Sequence, residues 1–232
     1  MRFLILNKKI FSFFVIVSFI LLGFESVSAQ EYEFLTSWKA DSFAPFWYGG
    51  KILPSRGSRV TVSFELLNSG KISNLSNTAV RWYVNDNLAK NERSGLGIKD
   101  YSFVVTDYPG NNTEIRISIP NHNGQNLNKI IEIPVVSPEV NIESPNLTLG
   151  DISKNAIFKA SPFFFNVKTI NNLSFQWTAN GQTAGIYKGS NILDFNVDPK
   201  VGLNSQINLK ITAKNLLNEM EFVNKEIQFQ LK

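Results

Sequence analysis

Cysteine is absent from the 232 residues, histidine occurs once and methionine twice. No disulfide can staple the chain, so its stability has to come from core burial alone. A single imidazole, His122, excludes a multi-histidine metal centre and leaves only one possible Ser-His-Asp arrangement. Surplus charge is scarce too, with 23 basic against 19 acidic residues. Arg2, Lys8, Lys9 and Glu25 fall within the first 29 positions, and without them the counts become 20 and 18, a net charge of +2. Such balance argues against nucleic acid or an anionic membrane surface as partner, since both need clustered Lys and Arg.

There is one long apolar run, Ile10 to Phe24, interrupted only by Ser12, Ser18 and Gly23 and followed by Ser26-Val27-Ser28-Ala29. Charged, apolar and small-residue segments in that order make residues 1–29 read as a secretory signal cleaved after Ala29. A run of about fifteen residues is shorter than the roughly twenty that span a bilayer, which favours cleavage over anchoring through residues 10–24. The expected location is therefore outside the cytoplasm, extracellular, periplasmic or at the cell surface, and the absence of cysteine fits a bacterial origin.

Beyond residue 30 the dominant pattern is alternation of period two. Val60, Val62, Phe64 and Leu66 share one face, as do Ile115, Ile117 and Ile119, and then Ile131, Ile133 and Val135. Pro45, the Gly49-Gly50 pair, Pro54 to Ser58 and Asp107 to Asn112 punctuate these strands, and Asn85 to Leu96 reads as turn-rich. Pro162 is expected to split the segment from Asn155 to Val167, and Leu216 to Met220 is the one place for a helical turn. Two strands carry a tryptophan into a turn: Val80 to Asn85, with Trp82, and Phe175 to Gly181, with Trp177. Trp82 recurs 95 positions on as Trp177, Phe103 recurs 92 on as Phe195, and Ile115 matches Ile207 at the same spacing of 92. A near-constant offset of domain size predicts two similar modules, residues 30–137 and 138–232, each closing its own core around Trp82 and Phe103 or around Trp177 and Phe195.

A tryptophan strand ending in Asn-Asp or Asn-Gly, then a glycine-containing segment, an aromatic strand and an Ile-rich strand resembles the immunoglobulin-like and PKD-like modules found in tandem on exported bacterial proteins. Trp38 to Asp41 with Pro45 to Lys51 resembles segments that precede such modules in cell-surface proteins. The resemblance implies an all-β fold of two tandem Ig-like (PKD-like) antiparallel β-sandwiches after the signal. The Trp-Asp-Phe-Gly-Asp-Gly type signature of PKD domains and the flanking cysteine pair of antibody domains are both missing, so no functional site is carried over.

Few residues offer chemistry. His122 lies in a polar turn with no nucleophile-elbow serine, which points away from an enzyme. Asp194 to Asp198 imitates the start of a calcium loop, but Pro199 stands where the sharp turn needs glycine and Ser205 where glutamate should ligate, so a solvated strand face is expected and no metal or cofactor. Gly95-Leu96-Gly97 lacks the helix that would hold a phosphate. The sequons at Asn74, Asn111, Asn146 and Asn172 are expected by chance in an asparagine-rich chain. Lys51, Arg56 and Arg59 read as solubilising charge.

Trp38, Phe46, Trp47 and Tyr48 are the candidates for contact with a partner, because exposed rings stack on sugars or anchor protein interfaces. The competing expectation is that they close the end of their own sandwich. The function these observations imply is a non-enzymatic, exported or surface-associated structural or interaction protein, of the kind used in cell adhesion. A carbohydrate-binding module using the 46–48 loop and an accessory subunit of an envelope or pilus assembly are the alternatives. The partner would be a protein or glycan of the envelope, with the membrane touched only if the N-terminal segment is retained.

Overall fold

The structure, a computed structural model, describes residues 31–90, 96–145, 151–152, 155–198, 200–202 and 204–231. The signal segment 1–29 and Asn146 lie outside them.

Among the described residues eight strands build the first module: β1 (Tyr32–Ala40), β2 (Arg59–Asn68), β3 (Lys71–Ile72), β4 (Arg81–Val84), β5 (Asn87–Lys90), β6 (Asp100–Val104), β7 (Asn112–His122) and β8 (Gln125–Pro134). Eight more build the second: β9 (Glu139–Glu143), β10 (Asp151–Ile152), β11 (Asn155–Phe163), β12 (Leu173–Ala179), β13 (Gln182–Lys188), β14 (Ile192–Asn196), β15 (Gln206–Asn215) and β16 (Phe222–Leu231). Module 1 stacks a sheet in which β2 lies between β1 and the pair β3 and β6 upon a second sheet ordered β5-β4-β7-β8. Module 2 repeats the plan with β14-β11-β9 against β10-β16-β15-β12-β13. All pairings are antiparallel except that of β10 with β16. Both modules are therefore immunoglobulin-like or fibronectin-III-like sandwiches in tandem.

The cores follow from the alternation. Val60, Val62, Phe64 and Leu66 of β2 face Ile115, Ile117 and Ile119 of β7 around a fully buried Trp82. In module 2, Phe158, Phe175, Leu209, Ile211 and Phe229 enclose a fully buried Trp177. Phe103 and Phe195 are buried as well. Each tryptophan strand reverses through two residues of positive φ, Asn85-Asp86 at 47° and 61° and Asn180-Gly181 at 47° and 79°, turns whose twist suits a hairpin. A register shift follows each tryptophan, after Trp82 and after Trp177.

Several expectations are corrected. Asn85 to Leu96 is not only a turn, since β5 pairs with β4 there, and β13 is its counterpart in module 2. Both are edge strands with little burial, so they lack the apolar alternation that would reveal them. Pro162 does not split β11. The neighbouring Ala160 N–H turns to Asn191, just before the first residue of β14, so the donor that proline lacks falls where the ladder has already ended. The segment 216–220 forms a bend and a turn, while the single described helical turn, of 3-10 type, is Ile170–Asn172. The repeat also shifts: Ile117 stands opposite Trp82 and Ile211 opposite Trp177, so Ile115 corresponds to Leu209 rather than to Ile207.

Candidate functional site at the joint between the modules

In the first module the β1–β2 connection, residues 41–58, is long and leaves its own sandwich. Its base is tied by the Asp41 N–H to Arg59 O (3.0 Å), the Arg59 N–H to the Asp41 carboxylate (2.7 Å) and the Ser42 hydroxyl to Leu53 O (2.6 Å). From there it reaches module 2. The Phe43 N–H donates to Phe165 O at 2.7 Å and the Phe164 N–H to Phe43 O at 2.6 Å, a one-residue β-bridge across the modules. The Phe43 side chain packs against the core of module 2. Phe164 adopts φ of +61°, a left-handed conformation rare for a bulky residue and held here by the bridge and the rings around it.

Aromatic edges extend the seam. Tyr48 meets Phe163 and Phe164 with centroids at 5.4 and 6.0 Å, and Trp47 meets Phe163 at 5.8 Å, all near perpendicular. Beside them lies a cavity of about 350 Å³, lined by Pro45, Phe46, Trp47, Pro162 and Ile170, with Lys159, Ser161 and Asn191 supplying its polar groups.

The other half of the joint is polar. Glu221, between β15 and β16, is buried and accepts from Ser55 Oγ (3.2 Å), from the Asn166 N–H (2.8 Å) and from Asn215 Nδ2 (2.5 Å). Ser55 is fixed in turn by Ser58, whose Oγ lies 3.0 Å from its own, and Asn215 Nδ2 also reaches Asn166 O. Among the described residues no lysine or arginine pairs with Glu221, so hydrogen bonds from both modules carry the stabilisation of the buried carboxylate. At the tip of the same connection Lys214, 2.8 Å away, holds the exposed Glu219 carboxyl below its usual range.

The four sequence candidates therefore do not form one surface. Trp38 packs against the core of module 1, with the Lys51 ammonium over its ring at 4.1 Å. Tyr48 and Trp47 face module 2 rather than the end of their own sandwich, because the bridge at Phe43 carries the loop across. Phe46 alone is fully exposed, and Trp47 is half-exposed. The three cations take different partners: Lys51 lies over Trp38 and Arg56 over Tyr108, each at 4.1 Å, and Arg59 is exposed in β2. Asp194, Asn196 and Asp198 point outward around buried Leu193 and Phe195. His122 ends β7, its ring 5.2 Å from that of Tyr32.

Sequence reasoning missed Ser55, Asn166, Asn215 and Glu221 altogether. Ser55 and Glu221 stand 166 positions apart, and no local pattern announces such a meeting. The one available signal was the length of the Pro- and Gly-bearing 41–58 connection, which exceeds what a β-sandwich needs to join neighbouring strands.

No family model matches the chain, and no curated protein sequence does. Among solved structures it is similar to the three N-terminal domains of the highly immunogenic outer capsid protein of bacteriophage RB49, at 10% identity and a TM-score of 0.47, covering 87% of this chain and 59% of that one. The chain thus spans about three fifths of that phage structure. It is also similar to fibronectin(III)-like modules of Clostridium thermocellum CbhA, at 9% identity and a TM-score of 0.32, covering 85% and 94%. SGBP-B of the Bacteroides ovatus mixed-linkage glucan utilization locus, in complex with a mixed-linkage heptasaccharide, is similar at 13% identity and a TM-score of 0.27, covering 89% and 48%. Likenesses this distant do not bear on activity.

Proposed function

We propose that this is a non-enzymatic, exported or cell-surface protein whose two Ig-like modules act as one rigid structural and interaction unit. The joint carries the reading. A spacer of freely jointed modules needs only a short linker, whereas here a β-bridge, four packed rings and a buried carboxylate fix module 1 on module 2. Export is supported by the order of charged, apolar and small residues in 1–29. Small-angle scattering tests the rigidity: a single envelope fitting one fixed orientation is expected, and a spread of inter-module angles would sink the proposal. For export, N-terminal sequencing of protein recovered outside the cytoplasm should start at Gln30.

The second reading is a carbohydrate-binding role for the 46–48 loop, favoured by full exposure of Phe46 at the mouth of the apolar cavity. Phe46→Ala then abolishes binding on a glycan array while the melting temperature holds.

A further inference from the structure

The same end of the sandwich has different neighbours in the two modules. In module 2, the end carrying the β11–β12 and β15–β16 connections seats the 41–58 loop. In module 1, the matching end carries residues 73–80 and the β7–β8 turn, where Tyr32 at the start of β1 touches His122 and Asn123. Strand pairing fixes the correspondence. Val60 stands opposite Phe103 and Ala156 opposite Phe195, so Asn68 and Phe164, each eight residues further on, are equivalent. Ile117 stands opposite Trp82 and Ile211 opposite Trp177, so Asn121 and Asn215, each four further on, are equivalent.

The chemistry at the equivalent place has changed. Where module 2 offers Phe164 to an incoming ring, module 1 offers an amide. Asn68, Asn74, Asn77, Asn121 and Asn123 converge from separate connections on an open bowl of about 600 Å³, in which His122 is the one ionisable group among the described residues. Much of the amide capacity is unspent. Asn77 makes no side-chain hydrogen bond among the described residues. Asn68 and Asn74 engage only their Oδ1 atoms, with Ser69 Oγ at 3.3 Å and Ser76 N at 3.0 Å, so both NH2 groups stay available. Asn123 donates through Nδ2 to the Tyr32 hydroxyl at 2.8 Å and keeps Oδ1.

We infer that this bowl binds a neutral oligosaccharide. An amide presents a donor and an acceptor side by side, which matches adjacent hydroxyl groups that each give and take a hydrogen bond. Among the described residues the lining holds no Asp, Glu, Lys or Arg to draw a charged ligand, and Ala79 and Pro120 are its only apolar residues, too few to hold the side chains of a peptide. The volume suits a short chain of sugar rings.

The test is a glycan array with the whole protein, carrying neutral and acidic glycans, followed by calorimetric titration of any neutral oligosaccharide that binds. Asn77→Ala removes one amide, and Asn123→Gly removes another while suiting the φ of +49° at that position. Each is expected to weaken binding about tenfold or more with an unchanged melting temperature, and Trp47→Ala is expected to leave affinity intact. Silence across the array overturns the inference, as does binding of acidic glycans only. Binding lost in Trp47→Ala but kept in both asparagine variants also overturns it, and transfers the site to the 46–48 loop.

Discussion

Trp82 and Trp177 occupy equivalent places and are equally buried, yet they differ in one bond. The indole N–H of Trp82 donates to Ile98 O at 3.1 Å, whereas that of Trp177 has no hydrogen-bond partner among the described residues. Trp82→Phe thus removes a satisfied pair and strands a carbonyl, while Trp177→Phe removes a donor that was already stranded. Denaturant unfolding is expected to show the first substitution costing about 1–2 kcal/mol more than the second, and equal losses would contradict the assignment. Truncation of either to alanine should cost on the order of 3–5 kcal/mol. Gly97 gives a second residue-level prediction. Its φ is +66°, and a Cβ there would stand 2.5 Å from the Leu75 carbonyl oxygen, which is backbone and cannot swing aside. Gly97→Ala should destabilise module 1 by about 2–3 kcal/mol, whereas Gly70→Ala, at φ +78° but in open space, should cost only about 1 kcal/mol.

At the scale of elements, burial explains what could be read from the sequence. β2, β7 and β15 alternate between core and surface, and their residues say so. β5 and β13 line sheet edges with little to bury, so their composition is that of loops and only the partner strand reveals them. Trp38, Phe46, Trp47 and Tyr48 were visible as a cluster of rings, but their destination was not. It depends on a single backbone bridge at Phe43, and a bridge of one residue leaves no periodicity. That dependence is testable. Phe43→Pro deletes the N–H that donates to Phe165 and should lower stability by about 2–3 kcal/mol. Phe43→Ala keeps the donor and loses packing alone, so a smaller effect is expected from it, and Phe46→Ala should be neutral within about 0.5 kcal/mol. Equal effects of the two Phe43 variants would mean that the bridge contributes nothing.

For the whole molecule, the joint determines whether two cores melt as one. Glu221 gathers Ser55 of module 1 with Asn166 and Asn215 of module 2. While that hub and the aromatic seam persist, calorimetry should record a single transition. Glu221→Ala removes the shared acceptor of three hydrogen bonds and strands the Asn166 N–H, at a cost of about 2–3 kcal/mol, and the one transition should separate into two. Two transitions in the unaltered protein would show the modules to be energetically independent.

The 41–58 loop makes the covalent boundary and the cooperative boundary fall in different places. Cutting the chain between Ser137 and Pro138 follows the sequence repeat, but it also strips module 2 of the cover over Phe163 and Phe164 and leaves Phe43 and Tyr48 in water. Excised singly, both halves should be sticky: module 1 through a loop with nothing to grip, module 2 through the face that the loop had sealed. Mixed in solution, the halves should recombine. Modules of this pair cannot be shuffled into other arrays as free beads, because the first carries part of the second's surface in its own chain.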